Sequence, residues 1–219
     1  MKLSEFKKID LPLHGVRLPS FEIEDKTVSS NYDFLVKLCY DGYEEKLKRG
    51  EISTSESERY VERIKYELDT LDGLGFTDYI LLIWDVINFC KKSDVPTGLG
   101  RGSAAGSIVL YLIGVTGIDP IKYNLFFERF VSKIRAKKQV IDGVTYLDGE
   151  LMCDVDIDIC YYKRSEVLKY LEEKFEGKTS KILTLNTLSG KLLIKECGKI
   201  VAAKTEVEMN AVSSMIPKV

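Results

Sequence analysis

Residues 77 to 92 are apolar on most of their circumference, with Ile80, Leu81, Leu82, Ile83, Trp84, Val86, Ile87 and Phe89 in one span. A helix of that kind has to be enclosed by protein on nearly every side. It is not a membrane span, because the longest fully apolar runs, 79 to 84 and 108 to 115, fall well short of the roughly 18 residues needed. The rest of the chain therefore reads as material that covers this helix. Residues 55 to 72 carry Tyr60, Ile64, Leu68 and Leu71 at i, i+4, i+8 and i+11 among charged residues, which predicts an amphipathic helix with one buried stripe and the remainder facing water. Residues 33 to 49 carry a similar stripe (Phe34, Leu35, Leu38, Leu47), stopped by Gly50.

Outside these helices the signals are shorter. Residues 1 to 30, with Pro12 and Pro19, read as an extended lead-in on the surface. A short strand is expected near Val95, a buried helix over 103 to 113 capped by Ser103 and ended by Gly114, and a short helix over 122 to 130. Asp142-Gly143 and Asp148-Gly149 mark tight turns in a three-stranded meander whose last strand is 152 to 160. A helix over 165 to 175, a brief strand over 181 to 185 and two helices within 190 to 216 complete the reading.

The chain has 219 residues, 45% of them hydrophobic, enough for one compact domain with a small appendage. Its 32 basic and 34 acidic side chains give a net charge of -2, so any grip on an anion has to be local. Five scattered cysteines, never spaced as CxxC, and a single His14 argue against zinc sites, disulfide scaffolds and histidine catalysis. With no apolar leader at the amino terminus, the expectation is a cytoplasmic protein with no membrane partner.

Two constellations carry chemistry. The first is Gly100-Arg-Gly-Ser-Ala-Ala-Gly-Ser107. Its glycines permit a sharp turn and close backbone approach, and a helix opening at Ser103 would point free N–H groups at a phosphate. Arg101, Gly102, Ser103 and Ser107 are the candidate contacts. A dinucleotide fold lacks an acidic residue ending a second strand about 20 positions on, and a Walker loop lacks its lysine. The second is Asp154-x-Asp156-x-Asp158. Residues two apart in a strand share a face and lie about 6.6 Å apart, so two neighbouring carboxylates suit a pair of divalent ions. Geometry leaves open which two. A calcium loop fails, because Ile159 and Ser165 stand where it needs Gly and Glu.

With 76 to 88, the 100 to 107 turn, Gly117-Ile-Asp-Pro120, 123 to 130 and Asp154-Val-Asp-Ile-Asp158 in this order, the sequence resembles the bacterial DNA polymerase III alpha subunits, the C family, from about residue 17 onward. The resemblance implies an α+β palm of the polymerase-beta-like nucleotidyltransferase fold, a mixed sheet flanked by helices, over 31 to 181, and the start of a helical thumb over 182 to 219. It implies that Asp154 and Asp156 hold two Mg²⁺ ions, with Asp158 in a supporting position. It further implies that Gly102 and Ser103 bind the triphosphate and that Arg129 reaches the incoming nucleotide. Partners implied are a dNTP, primer-template DNA, a complementary polymerase fragment and other replisome proteins. The third metal-site carboxylate of the family is expected in that fragment, beyond Val219.

Residues 178 to 204 hold six lysines against the single acid Glu196, and Lys191, Lys195 and Lys199 form an i, i+4, i+8 stripe expected to contact DNA phosphates. Lys133, Arg135, Lys137 and Lys138 form a second basic cluster. The long insert between Phe130 and Asp154, and Cys153 where the family commonly has proline, mark a divergent member of the kind a phage carries. The expected function is thus part of a replicative DNA polymerase. The rival readings are an inert nucleotide- or DNA-binding remnant and a small stand-alone nucleotidyltransferase that uses Asp158 as its third carboxylate.

Overall fold

A computed structural model describes residues 19–23, 27–131, 138–141, 144–147, 152–181 and 187–216. The chain divides into two compact units, Met1–Thr179 and Ser180–Val219.

In the first unit, α1 (Asn31–Lys48) starts where the Ser30 hydroxyl accepts from the Asp33 N–H, and it ends before Gly50, whose positive φ of 72° suits a residue without a side chain. A short 3-10 turn leads into α2 (Ser57–Gly73), and α3 (Thr77–Lys92) follows after Gly75. The α2 stripe is buried as its spacing predicts: Tyr60, Ile64, Leu68 and Leu71 are all at most 2% exposed. On α3, Ile80, Leu81, Ile83, Ile87 and Cys90 are buried. α4 (Ile108–Leu112), every residue of it buried, packs against both α1 and α2. The α1 contact is tight enough to require Gly42, because a Cβ there would lie 2.1 Å from the Leu112 carbonyl oxygen. α5 (Arg164–Lys174) docks on α3, where Tyr170 stacks on Phe89 at 4.0 Å and both Tyr170 Oη and Lys174 Nζ donate to the buried Asp85 carboxylate at 2.7 Å.

Several expectations need correction. The α+β fold with a mixed sheet flanked by helices is not what the described residues form. They are mostly helical, and their strands are one antiparallel hairpin, β1 (Lys138–Ile141) with β2 (Val144–Leu147), and a single isolated bridge between Thr97 and Ile159. Residues 152 to 158 run extended but join no ladder, so the third strand of the expected meander is absent among the described residues. Periodicity reports which way side chains alternate. It does not supply the neighbouring backbone that a sheet needs. The helix expected over 103 to 113 is instead a 3-10 turn, Gly102–Gly106, then an extended Ser107 that caps α4 in place of Ser103. The helix expected over 122 to 130 reduces to turns and a 3-10 segment, Phe127–Arg129. The described end of the lead-in is not wholly on the surface either, since Phe21 is buried against Phe34 and Trp84. The turns at 142–143 and 148–149, the 181 to 185 strand beyond Lys181, and the side chains of Lys133, Arg135, Lys137 and Lys138 lie outside the described residues.

The second unit pairs α6 (Gly190–Val201) with α7 (Glu206–Ser214), which opens on a reciprocal Thr205–Glu208 capping box. Gly198 meets Met209 so closely that a Cβ would fall 2.2 Å from the sulfur. Among the described residues, no single helix is long and apolar enough to cross a membrane.

Candidate functional site

The glycine-rich turn and the aspartate segment lie side by side in the first unit. The Gly98 N–H donates to the Asp158 carbonyl at 2.9 Å and the Cys160 N–H to the Pro96 carbonyl at 3.0 Å, flanking the Thr97–Ile159 bridge. The approach at Gly98 is close, since a Cβ there would sit 3.0 Å from the Asp158 Cβ. Gly100 needs glycine for two reasons: a φ of 100° and a Cβ position 2.9 Å from Thr116. These restraints carry the chain to Gly102, whose missing Cβ would lie 3.5 Å from Asp156 Oδ2.

Along 153 to 159 the side chains alternate. Cys153 is buried, Val155, Ile157 and Ile159 are half-buried, and Asp154, Asp156 and Asp158 are exposed. The half-buried set packs toward the core, so all three carboxylates face water. At the start of the segment the Tyr79 hydroxyl donates to the Cys153 carbonyl at 2.8 Å, and burial pushes the Tyr79 phenol up to about 12. Burial likewise raises the Cys153 thiol to about 12, which leaves it an unreactive core residue. Arg101 bridges the two motifs, with Nε 3.3 Å from Asp156 Oδ2 and a terminal nitrogen 3.5 Å from Asp158 Oδ1.

Beyond Arg101 opens a cavity of about 210 Å³, walled by Gly102, Ser103 and Gly106 on one side and by residues 124 to 126 with Arg129 on the other. Gly102 and Ser103 thus share one recess with Arg129, which is distant from them in sequence. Ser107 does not join them. It is fully buried, and its hydroxyl is engaged by the Leu110 N–H, which it caps, and by the Glu67 carboxylate. Sequence reasoning placed Ser107 at the ligand because it read the turn as the first part of one long helix.

In the second unit, the expected DNA-facing stripe is partly covered. Lys191, Lys195 and Lys199 are half-buried, and Lys199 lies 3.5 Å from Glu196 and 3.9 Å from Glu206. Leu192, Leu193, Ile200 and Val201 are exposed in their place. Gly198 seats closely on Met209 of α7, and the neighbouring Lys199 reaches Glu206 of the same helix.

Sequence reasoning missed Arg63 and Glu67 on α2. Glu67 is completely buried and contacts Ser107 and Arg63. The signal was there, since position 67 falls three after Ile64 and seven after Tyr60, on the stripe rather than between its members.

Residues 33–219 match the family model described as the bacterial DNA polymerase III alpha NTPase domain. The chain belongs to the bacterial DNA polymerase III alpha family. Its relatives in that family include the DNA polymerase III subunit alpha of Bacillus subtilis, 32% identical over 99% of this chain and 18% of the relative, and that of Ureaplasma parvum, 37% identical over 90% and 18%. The corresponding subunit of Aquifex aeolicus is 34% identical over 83% of this chain and 14% of its own length. The chain therefore spans less than a fifth of the length of these polymerase III alpha relatives.

Proposed function

We propose that this chain is the nucleotide- and metal-handling portion of a replicative DNA-directed DNA polymerase. The observation that carries this reading is the recess that brings Gly102, Ser103 and Arg129 together, with Arg101 linking its rim to the exposed Asp156. In this reading the triphosphate lies in the recess. Its oxygens accept from the backbone N–H groups of the turn, the Ser103 hydroxyl and the guanidinium of Arg129, the donor types that suit phosphate. Arg101 orients Asp156 and contributes positive charge at the rim.

Asp154 and Asp156 are the residues that would hold Mg²⁺. No group of three or more His, Cys, Asp or Glu side chains placed to hold a metal ion is found among the described residues. The two exposed carboxylates nonetheless fit the donor set of an ion that is ordinarily bound by one or two carboxylates, with substrate phosphates and water completing the shell. Such ions neutralise charge on the transferring phosphoryl group and lower the pKa of the attacking hydroxyl. The covalent change is a bond from the primer 3′ oxygen to the α-phosphorus as the bond from that phosphorus to the β-bridging oxygen breaks. Pyrophosphate leaves and the hydroxyl proton passes to water. The Gly98 N–H bond to the Asp158 carbonyl ties that residue's backbone to the glycine-rich turn, which supports a positioning role for Asp158. Primer-template binding through the half-buried lysines of α6 rests on the family resemblance alone.

Titration calorimetry of dATP into the chain with Mg²⁺ tests this reading. Binding is expected in Mg²⁺, to be lost in EDTA, and to be lost again in the Asp154→Asn, Asp156→Asn double variant with its fold intact. Equal affinity with and without Mg²⁺ would sink the reading. Pyrophosphate release on a primer-template would separate a working transferase from a chain that only binds.

A further inference from the structure

Arg63 and Glu67 stand one turn apart on α2, outside every motif of the phosphate recess and the aspartate segment. A buried carboxylate is costly unless its lone pairs are used, and Glu67 uses both oxygens. Oε1 accepts from Arg63 Nε at 2.6 Å, and Oε2 accepts from the Ser107 hydroxyl at 2.8 Å and from the Val109 N–H at 3.2 Å. In this way Glu67 fixes the residue that follows the Gly102–Gly106 turn, together with the start of α4. Arg63 then spends a second nitrogen elsewhere: Nη2 donates to the Gly106 carbonyl at 3.0 Å and to the Leu125 carbonyl at 3.3 Å.

Those two carbonyls belong to opposite walls of the recess. Gly106 ends the turn that carries Gly102 and Ser103, and Leu125 lies four residues before Arg129. The walls touch behind the recess, where a Cβ on Gly106 would lie 2.7 Å from the Phe126 carbonyl oxygen. We propose that Arg63, oriented by Glu67, is a positioning residue that sets the distance between the Gly102–Ser103 turn and Arg129, and hence the fit of the recess to a phosphate chain. The identity of the occupant rests on the function proposed above; the strut itself does not. Only a guanidinium satisfies this arrangement, because its planar fork gives one edge to the carboxylate while another nitrogen reaches two carbonyls. A lysine at 63 offers one nitrogen and has to choose among them.

The test uses the 219-residue chain with Arg63→Lys and Arg63→Gly, read by amide hydrogen exchange and by Mg·dATP calorimetry. In Arg63→Lys, exchange should rise in both 102–106 and 124–130 while α1 and α3 keep wild-type protection, and Mg·dATP affinity should fall about tenfold, as expected for losing one charge-assisted hydrogen bond. Guanidinium chloride far below denaturing concentration should restore affinity to Arg63→Gly, a rescue that a merely structural residue would not show. Faster exchange throughout the unit would overturn the proposal, since Arg63 would then be an ordinary core brace. Unchanged exchange in either wall, or unchanged affinity in Arg63→Lys, would overturn it too. If the wild type fails to bind Mg·dATP, the proposed function fails, and the strut is still decided by the exchange pattern.

Discussion

α2 and α6 carry the same kind of sequence, apolar residues at helical spacing among charges, yet they resolve in opposite senses. On α2 the apolar stripe is enclosed and most charged residues face water, with Glu67 and the half-buried Arg63 the exceptions. On α6 the exposed positions include Leu192, Leu193, Ile200 and Val201, while the lysines turn half-inward. The difference lies in what each helix meets. α2 has α1 and α4 to receive its stripe, whereas α6 has α7, whose contact is made by Met209 over Gly198. A helical period establishes that a helix has two faces; the neighbour decides which face is inside.

Substitutions can break or sharpen that contrast. The largest effect is expected at the centre of the enclosed stripe: Ile64→Ala should lower unfolding free energy by about 2–5 kcal/mol, through lost burial plus the cavity left behind. Ile200→Ala on α6 should change it by less than about 0.5 kcal/mol. Urea denaturation of both variants measures the difference, and comparable losses would mean that the α6 apolar face is buried after all.

Next come two glycines. Gly42→Ala puts a methyl group against the Leu112 backbone and should cost about 1–3 kcal/mol by overpacking. Gly190→Ala at the start of α6 meets nothing within 4 Å and should stabilise by about 0.4–1 kcal/mol through the unfolded chain. Thermal melts of the pair check both signs.

Tyr79 gives a smaller, pH-dependent effect. Its folded value of about 12 exceeds the ordinary phenol value near 10, so its contribution is fully present below about pH 10 and is lost as pH rises through about 12. Tyr79→Phe, which removes the bond to the Cys153 carbonyl, should cost about 1 kcal/mol at neutral pH and flatten the stability profile between about pH 10 and 12. Phenolate absorbance followed alongside unfolding reads this directly, and an unaltered alkaline profile would remove Tyr79 as the anchor of the aspartate segment. The smallest change is expected for Lys199→Ala, below about 0.5 kcal/mol, because its ion pairs with Glu196 and Glu206 are long and partly solvated.

Much of the helical frame is legible in the amino-acid order alone. The stop at Gly50, the α2 stripe and the apolar α3 follow from local rules, and two of the expected strands pair, Val140 with Thr145 and Ile141 with Val144. The alternation that turns Asp154, Asp156 and Asp158 outward is equally local. What failed were readings that needed a distant partner. Residues 152 to 158 have the pattern of a strand but no ladder to join, and the mixed sheet goes with it. Ser107 has the look of a ligand contact, but α2 brings Glu67 against its hydroxyl.

The sequence by itself therefore determined where the chain turns, which residues alternate, and to which family the ordered motifs belong. Those properties depend on neighbours within a few residues or on the order of motifs. Only the tertiary structure decided that Arg63 ties together the walls of the recess lined by Gly102, Ser103 and Arg129, that Ser107 is withdrawn from it, and that the lysines of α6 are partly covered. Each of those depends on a contact between residues that the chain brings together only on folding, and no local period encodes the identity of the partner.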